Sequence, residues 1–506
     1  MKKVELLENA SDYYSKDQLD YLERAIDFAI KAHAGQKRES GEPYITHPLT
    51  VANTLITWGM DIESVVAGVL HDTVEDTECT LDDIDKKFSH EAALLVDGVT
   101  KVSQARSGMR NLESYLPKTR DNLSKLLIAV GQDVRVIIIK LADRLHNLST
   151  LQHLSRERQE KVARESLEVF GPMADRLGMG QVRMQIEEMA FSYLNPHEFK
   201  KTQNLMKKRL GKSTRKLGKI RTDVETALKS QNINAEINGR VKSVYSLYKK
   251  LAKVGGNIDN VYDLMALRII VNKKEDCYRV LGILHSMYKP MISRIKDYIA
   301  TPKPNGYQSL HTTVMTPTEQ IVEFQIRTYK MHEFAERGLA AHYNEQKLTK
   351  GYIKKLSTKL PDSMKWISRL QEVAEKLKQE KQFSKEQLHI DLFGDRIFVH
   401  SPKGDIYDLP EGALPLDFAY LVHSDIARHA YSFKVNNKIH PFDKPLQNGD
   451  VVEVVTRKMS QPKQDWLQLV TTTHARSKLQ GQLRKAGVIE MITNAAAIIR
   501  RKSRKN

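Results

Sequence analysis

A change of hydrophobic period near Lys200 constrains this chain more than any other feature. From about Ser15 to Asn195, apolar residues recur at three- and four-residue steps, the spacing of helices with one buried face. Leu22, Ala25, Ile26 and Ala29 make one such run behind a capping Ser15 or Asp17, and Asn122–Val130 and Val134–Leu151 make two more. Beyond a long, basic, amphipathic stretch from Lys200 to Lys229, the segments Asn234–Ile237, Leu267–Val271 and Gln320–Ile326 alternate as strands do. Helical runs at Val244–Leu251 and Cys277–Tyr288 lie between them. An all-α part is therefore followed by an α+β part. Gln346–Glu386 reads as a helical linker. Leu388–Thr456 has short apolar alternations and turn groups such as Asn448-Gly449-Asp450, and Asp465 onward is helical and basic. The expected segments are 1–197, 198–345, 346–387, 388–457 and 458–506.

No apolar run in the 506 residues is long enough to span a bilayer, which argues against a membrane partner. Cys79 and Cys277 form no Cys-x-x-Cys pair, and two cysteines in so long a chain fit a reducing cytoplasm. The formal net charge of +18 favours anionic partners such as nucleotides, RNA or acidic lipid. The excess is concentrated at Arg500-Arg501-Lys502-Ser503-Arg504-Lys505.

The helical part carries its densest chemistry where the stripe Ile62, Val65, Val66, Val69, Leu70 runs into His71-Asp72-Thr73-Val74-Glu75-Asp76. A continuous helix would put His71 and Glu75 on one face and Asp72 and Asp76 on another. Two other stretches complete a metal site: one holds His47 before Pro48, the other is Lys140-Leu141-Ala142-Asp143-Arg144-Leu145-His146-Asn147. Asp143 follows the apolar Val136-Ile137-Ile138-Ile139, which holds it rigidly. A lone His-Asp pair is commonly a solvated surface. Two imidazoles with two carboxylates instead suit a divalent cation of intermediate hardness such as Mn2+, with positions left for water and a phosphate oxygen. Gly35 and Gly41-Glu42-Pro43 bound a loop that carries Lys37 and Arg38.

In the mixed part, cations follow a turn in Gly239-Arg240-Val241-Lys242-Ser243, and Asp263 opens an apolar strand that includes Arg268. In Val322-Glu323-Phe324-Gln325-Ile326-Arg327, strict alternation puts Glu323, Gln325 and Arg327 on one face. Asp263 and Glu323 on adjacent strands would make a Mg2+ site completed by substrate phosphates. The bland reading is an exposed sheet face with a Glu323–Arg327 ion pair. Against it stands Lys303-Pro304-Asn305-Gly306-Tyr307-Gln308-Ser309-Leu310-His311, an aromatic ring beside phosphate-binding groups that can stack on a purine.

In order and spacing these motifs resemble the RelA/SpoT homologue family, from Gly35-Gln36-Lys37-Arg38 through His71-Asp72 and Leu141-Ala142-Asp143-Arg144-Leu145-His146-Asn147 to the Glu323 strand. The resemblance implies an HD-type all-α hydrolase domain that removes the 3′-pyrophosphate of (p)ppGpp. It implies a nucleotidyltransferase-like α+β synthetase domain that moves pyrophosphate from ATP to the 3′-hydroxyl of GDP or GTP. His47, His71, Asp72 and Asp143 would hold Mn2+, Glu75 and Asp76 would orient water and move protons, and Lys37 and Arg38 would neutralise the pyrophosphate. Asn147 and Thr150 would contact the nucleoside. Asp263 and Glu323 would hold Mg2+, Glu323 also acting as base, with Tyr307 on the guanine. Arg240, Lys242, Arg268, Lys303, Asn305 and His311 would hold phosphates and sugar, and Arg294 and Lys296 match a basic signature of bifunctional members. Ser149, Asp175 and Ser243 depart from the commoner Arg, His and His. Phe398-Val399-His400-Ser401-Pro402-Lys403-Gly404 and Leu409-Pro410-Glu411-Gly412-Ala413 resemble a TGS domain, a small β-grasp module. With the basic end it implies a ribosome or tRNA contact.

Two other classes fit less well. An RNA-modifying nucleotidyltransferase with an HD domain would show a Gly-Ser turn and Asp-x-Asp, and no such pattern precedes Asp263. A non-catalytic ribosome- or RNA-binding regulator would have lost the acidic residues that are all present here.

Overall fold

A computed structural model describes residues 1–108, 133–258, 261, 264–303, 305–317, 321–340 and 396–484. The expected helix at Asn122–Val130, the linker Gln346–Glu386, Asp263 and the last basic residues lie outside them. The chain divides into two compact units, Met1–Gln379 and Glu380–Asn506.

The first unit begins with helices only: α1 Lys3–Ser11, α2 Lys16–Ala32, α3 Thr46–Thr57, α4 Ile62–Leu70, α5 Thr73–Asp76, α6 Leu81–Lys87, α7 His90–Gly108, α8 Arg135–Ser149, α9 Arg156–Glu165, α10 Gly171–Arg176 and α11 Gly180–Leu194. Ser15 does start α2, sharing a capping box with Gln18. The centre is α8, which packs against α3, α4, α7 and α11. Val136, Ile137, Ile138, Ile139, Leu141 and Ala142 on it are all buried, and so is Asp143. A carboxylate there is held on a rigid, dehydrated rod.

The basic stretch folds as one long helix, α12 Pro196–Ser230. The sheet that follows has the order β1-β2-β6-β5-β3, with β4 also on β5. Its strands are β1 Ala235–Val241, β2 Met265–Val271, β3 Lys289–Pro290, β4 Lys296–Asp297, β5 Leu310–Met315 and β6 Ile321–Thr328. Helices α13 Val244–Lys253, α14 Lys274–Met287 and α15 Tyr329–Arg337 accompany it. β2 and β6 run parallel and the remaining pairs antiparallel. Period-two alternation splits this sheet into two chemical faces. Ile237, Leu267, Ile269, Val271, Val322, Phe324, Ile326, Leu310 and Val314 form one apolar core with Cys277, Val280 and Leu284 of α14. Glu323, Gln325 and Arg327 point to the other face, as the alternation predicts.

The helical and mixed parts meet at two glycines. Gly178 follows α10 and Gly338 follows α15, both at positive φ. The Leu339 N–H donates to the Leu177 carbonyl at 2.9 Å. A Cβ on Gly338 would lie 2.2 Å from that carbonyl oxygen and 2.6 Å from backbone atoms of Gly178 and Met179. No side-chain rotation relieves a clash with backbone.

The second unit has a hairpin of β7 Arg396–His400 and β8 Ile406–Pro410, and a three-stranded sheet of β9 Ala430–Val435, β10 Lys438–His440 and β11 Val452–Thr456. They pack with α16 Pro415–Val422 and α17 Ser424–Arg428 around Val399, Phe418, Tyr420, Phe433 and Trp466. Buried Asp417 accepts hydrogen bonds from the backbone N–H groups of Leu414, Thr471 and Thr472 and from both threonine hydroxyls. It ties the helix at 473–484 to the sheet module.

Gly338→Ala should lower the thermal midpoint, because it meets both positive φ and backbone overlap. Gly282→Ala, at an exposed point of α14 with open space around it, should raise stability by about 1 kcal/mol. Scanning calorimetry of both variants checks the ranking, and the opposite order would contradict the close approach.

Candidate active sites

The first site forms where α4 stops. The expected continuous helix through Asp76 is not seen: α4 ends at Leu70 and α5 is a separate turn. The His71 Nδ1–H donates to the Gly68 carbonyl at 2.8 Å and the Thr73 hydroxyl to the Leu70 carbonyl at 2.7 Å. Such bonds compete with the helical ladder. His71 and Glu75 therefore share no helix face. His71 is fully buried, while Glu75 and Asp76 lie exposed on α5.

A carbonyl only accepts, so His71 keeps a proton on Nδ1 and turns Nε2 toward the cluster. Nε2 is buried without a hydrogen-bond partner and faces Asp72 Oδ1 at 3.1 Å. His47 Nε2 lies 3.4 Å from Asp72 Oδ2 and 3.2 Å from Asp143 Oδ1. Ligand atoms of His47, His71 and Asp143 all lie within 4.8 Å of one another. Imidazole nitrogens facing carboxylate oxygens need positive charge between them, as protons or as a cation, and two imidazoles with two carboxylates are a donor set that fits a divalent ion. Electrostatics agree. Burial alone would push both aspartates up; His71 and His47 outweigh it at Asp72, and Lys140 and His47 at Asp143, holding both carboxyls well below their usual range. Burial pushes His71 down, but Asp72 and Asp143 prevail and raise it to about 9.

Around this cluster stand the other expected residues and three that the sequence reading did not assign. Arg38 donates to Asn147 Oδ1 and to the Thr150 hydroxyl, each at 3.2 Å, and the Asn147 amide donates to Asp143 Oδ1 at 2.5 Å. Lys37 is exposed on the same loop. The unassigned three are Tyr44, Lys140 and His146. The Tyr44 hydroxyl lies 2.8 Å from Asp72 Oδ2 and 2.7 Å from Asp76 Oδ2. Buried Lys140 pairs with Asp143 Oδ2 at 2.7 Å, turning Oδ1 toward the histidines. His146 stacks on His47, and burial, then His47 and Arg38, push its imidazole down to about 3. The signal was present: Tyr44 stands three residues before His47, and Lys140 and His146 each stand three from Asp143.

The second site lies on the polar face of the sheet. Register puts Arg240, Ala266, Glu323 and Thr313 in one row, and Arg268, Gln325, His311 and Lys296 in the next. His311 Nδ1 is 3.3 Å from Glu323 Oε1, and Gln325 donates to Glu323 at 3.0 Å while accepting from Arg240 at 2.8 Å. Tyr307 is half-buried, its hydroxyl 2.9 Å from His311 Nε2 and Lys303 Nζ 5.3 Å above its ring. Burial pushes Lys303 and His311 down, Glu323 opposing it at His311. Lys242, Arg294 and Lys296 lie on the adjoining segments. Gly306 at φ 81° makes the turn after Asn305, whose amide donates to the Asp175 carbonyl of the helical part at 3.0 Å.

The exposed Glu323–Arg327 pair of the bland reading does not form. Arg327 is 1% exposed and bonds Glu336 of α15 at 3.2 Å, and Arg268 reaches the same carboxylate oxygen at 3.2 Å. Burial lowers the Arg327 pKa to about 10, helped by Arg268.

The helical His–Asp cluster, the cation-rich sheet face and the small β-grasp module define a class: chains with an all-α HD-type domain ahead of an α+β domain. Residues 25–180 match the HD domain, 239–348 the region found in RelA / SpoT proteins, and 397–456 the TGS domain. Over 475 residues the chain is 42% identical to a GTP pyrophosphokinase of Myxococcus xanthus, covering 94% of this chain and 62% of that protein. It is 37% identical over 495 residues to a guanosine-3′,5′-bis(diphosphate) 3′-pyrophosphohydrolase of Borreliella burgdorferi, 96% and 72% being covered. To the bifunctional (p)ppGpp synthase/hydrolase SpoT of Escherichia coli it is 39% identical over 474 residues, 93% and 66% being covered. The chain belongs to the RelA/SpoT family. It spans 58% to 66% of the length of the first relatives it matches. No helix among the described residues is long and apolar enough to cross a membrane.

Glu336→Gln keeps the volume and strands Arg327 without a counter-charge. It should cost about 1–3 kcal/mol. Glu333→Gln, from the surface pair with Arg337 on the same helix, should cost under about 1 kcal/mol. Denaturant titration of both checks this, and equal costs would contradict the role of Glu336 as counter-charge to the buried Arg327.

Proposed function

We propose that this chain is a bifunctional alarmone enzyme. Residues 1–197 hydrolyse the 3′-pyrophosphate of (p)ppGpp to GDP or GTP and pyrophosphate. Residues 198–345 transfer pyrophosphate from ATP to the 3′-hydroxyl of GDP or GTP, releasing AMP. The observation that carries the reading is the convergence of two imidazole nitrogens on two buried carboxylates beside Arg38. The names of the matched relatives cover both reactions.

In the hydrolase, His47, His71, Asp72 and Asp143 would hold Mn2+, which would acidify water and polarise phosphate when bound. Lys37 and Arg38 neutralise the pyrophosphate, whose charge otherwise repels an incoming nucleophile. Glu75 and Asp76 accept and return protons, with Tyr44 steering the Asp76 carboxylate. Asn147 and Thr150 fix Arg38 and border the nucleoside.

In the synthetase, Asp263 and Glu323 would hold Mg2+, which would neutralise phosphate charge when bound. Glu323 also takes the proton of the 3′-hydroxyl, oriented by His311 and Gln325. Tyr307 stacks on the guanine. Arg240, Lys242, Arg268, Arg294, Lys296, Lys303 and Asn305 spread over the phosphates and sugars, because phosphoryl transfer is mostly positioning and charge neutralisation. The TGS module and the basic end contact a ribosome or tRNA.

Nucleotide chromatography of reactions with ATP plus GDP, and with ppGpp plus Mn2+, tests both halves. His71→Ala should abolish Mn2+-dependent hydrolysis and spare synthesis. Glu323→Gln should slow synthesis at least about a hundredfold, the low end for a general base, and spare hydrolysis. Hydrolysis at the wild-type rate in His71→Ala, or near-normal synthesis in Glu323→Gln, would remove the corresponding assignment. Tyr307→Ala should raise KM for GDP more than for ATP, and equal weakening would count against stacking.

A further inference from the structure

One nitrogen in the helical site is shared by the metal cluster and the substrate-facing arginine. His146 Nδ1 lies 2.7 Å from His47 Nδ1 and 2.9 Å from an Arg38 guanidinium nitrogen, Nη1. The His146 and His47 rings are stacked, with centroids 4.9 Å apart and planes 28° from parallel. Proton counting decides who donates. Arg38 has only donors. His47 turns Nε2 toward the carboxylates of Asp72 and Asp143, so a cation held there takes that lone pair and leaves the proton on His47 Nδ1. His47 Nδ1–H and Arg38 N–H are then both donors, and His146 Nδ1 must be the acceptor for both. His146 is therefore a neutral imidazole with its proton on Nε2.

Metal-bound histidines almost always donate their second N–H to a carboxylate, a carbonyl or water, which fixes the tautomer and the ring orientation. The partner of His71 is the Gly68 carbonyl. The partner of His47 is another side chain, and that side chain also seats a guanidinium. We propose that His146 is a positioning residue that locks His47 in its metal-binding tautomer and, through the same nitrogen, places Arg38 over the scissile pyrophosphate. The metal and the anion-binding arginine are then assembled as one unit: losing the Nδ1 acceptor loosens both. This rests on the proposed hydrolase site.

The test uses the full chain with Mn2+ alone, free ion being read by electron paramagnetic resonance, and then with ppGpp. An Asn at this position places its Oδ1 where His146 Nδ1 stands, so His146→Asn keeps the acceptor. His146→Leu keeps bulk without an acceptor, and His146→Gln carries its amide one bond too far. Leu and Gln should weaken Mn2+ binding about 10- to 100-fold and raise KM for ppGpp, while Asn stays within a few-fold of wild type in both. Should Leu not fold, the Asn-against-Gln comparison decides alone. Nitrogen-15 spectra of the Mg2+-loaded protein should show His146 Nδ1 unprotonated. Equal Mn2+ affinity in wild type, Asn, Gln and Leu would overturn the positioning role. A wild-type chain that binds no Mn2+ would overturn the metal site itself, and the inference with it.

Discussion

Two imidazole nitrogens facing two carboxylates at 3.1–3.4 Å are stable only with positive charge between them. Much of the helical part serves that arrangement. Helix α8 is buried so that Asp143 cannot turn to water, and Lys140 takes one of its oxygens so that the other faces inward. Helix α4 stops at Leu70 because His71 spends its Nδ1 proton on the Gly68 carbonyl, which frees Nε2 for the cluster. Removing one charge from so dry a cluster leaves the others unpaired, which is far costlier than losing a surface pair.

The sheet solves a different problem, that of gathering cations without mutual repulsion. Its apolar face packs on α14, and its polar face puts Arg240, Arg268 and Arg327 near one another. Glu336 bridges two of them, and Gln325 links the third to Glu323. One consequence reaches across the molecule. The turn carrying Tyr307 is hydrogen-bonded through Asn305 to the Asp175 carbonyl, beside the Gly178–Gly338 contact. The turn carrying Tyr307 thus leans directly on the helical part, in addition to the covalent path through α12.

The change of period near Lys200, the strand alternation around Glu323 and the capped start of α2 were legible because each reflects a local rule of burial or capping. Strand register was not: nothing in the spacing of β2, β5 and β6 says that Arg268, Gln325 and His311 fall in one row. The helix break after Leu70 was missed because apolar periodicity reports which face is buried and not where a side chain captures a carbonyl. The pairing of Arg327 with Glu336 instead of Glu323 was missed for a related reason, since α15 folds back over the sheet and brings a better-placed carboxylate. Tyr44 and His146 sat in the motifs, but what they do is contact Asp72, Asp76 and His47, which only three dimensions display.

The central claim is that a divalent cation belongs among His47, His71, Asp72 and Asp143. Anomalous diffraction from crystals soaked in Mn2+ tests it most directly. One strong peak is expected within coordination distance of His47 Nε2, His71 Nε2 and Asp143 Oδ1, lost in His71→Ala crystals. Density with no peak there, the histidines instead hydrogen-bonded straight to the two aspartates at saturating Mn2+, would contradict it.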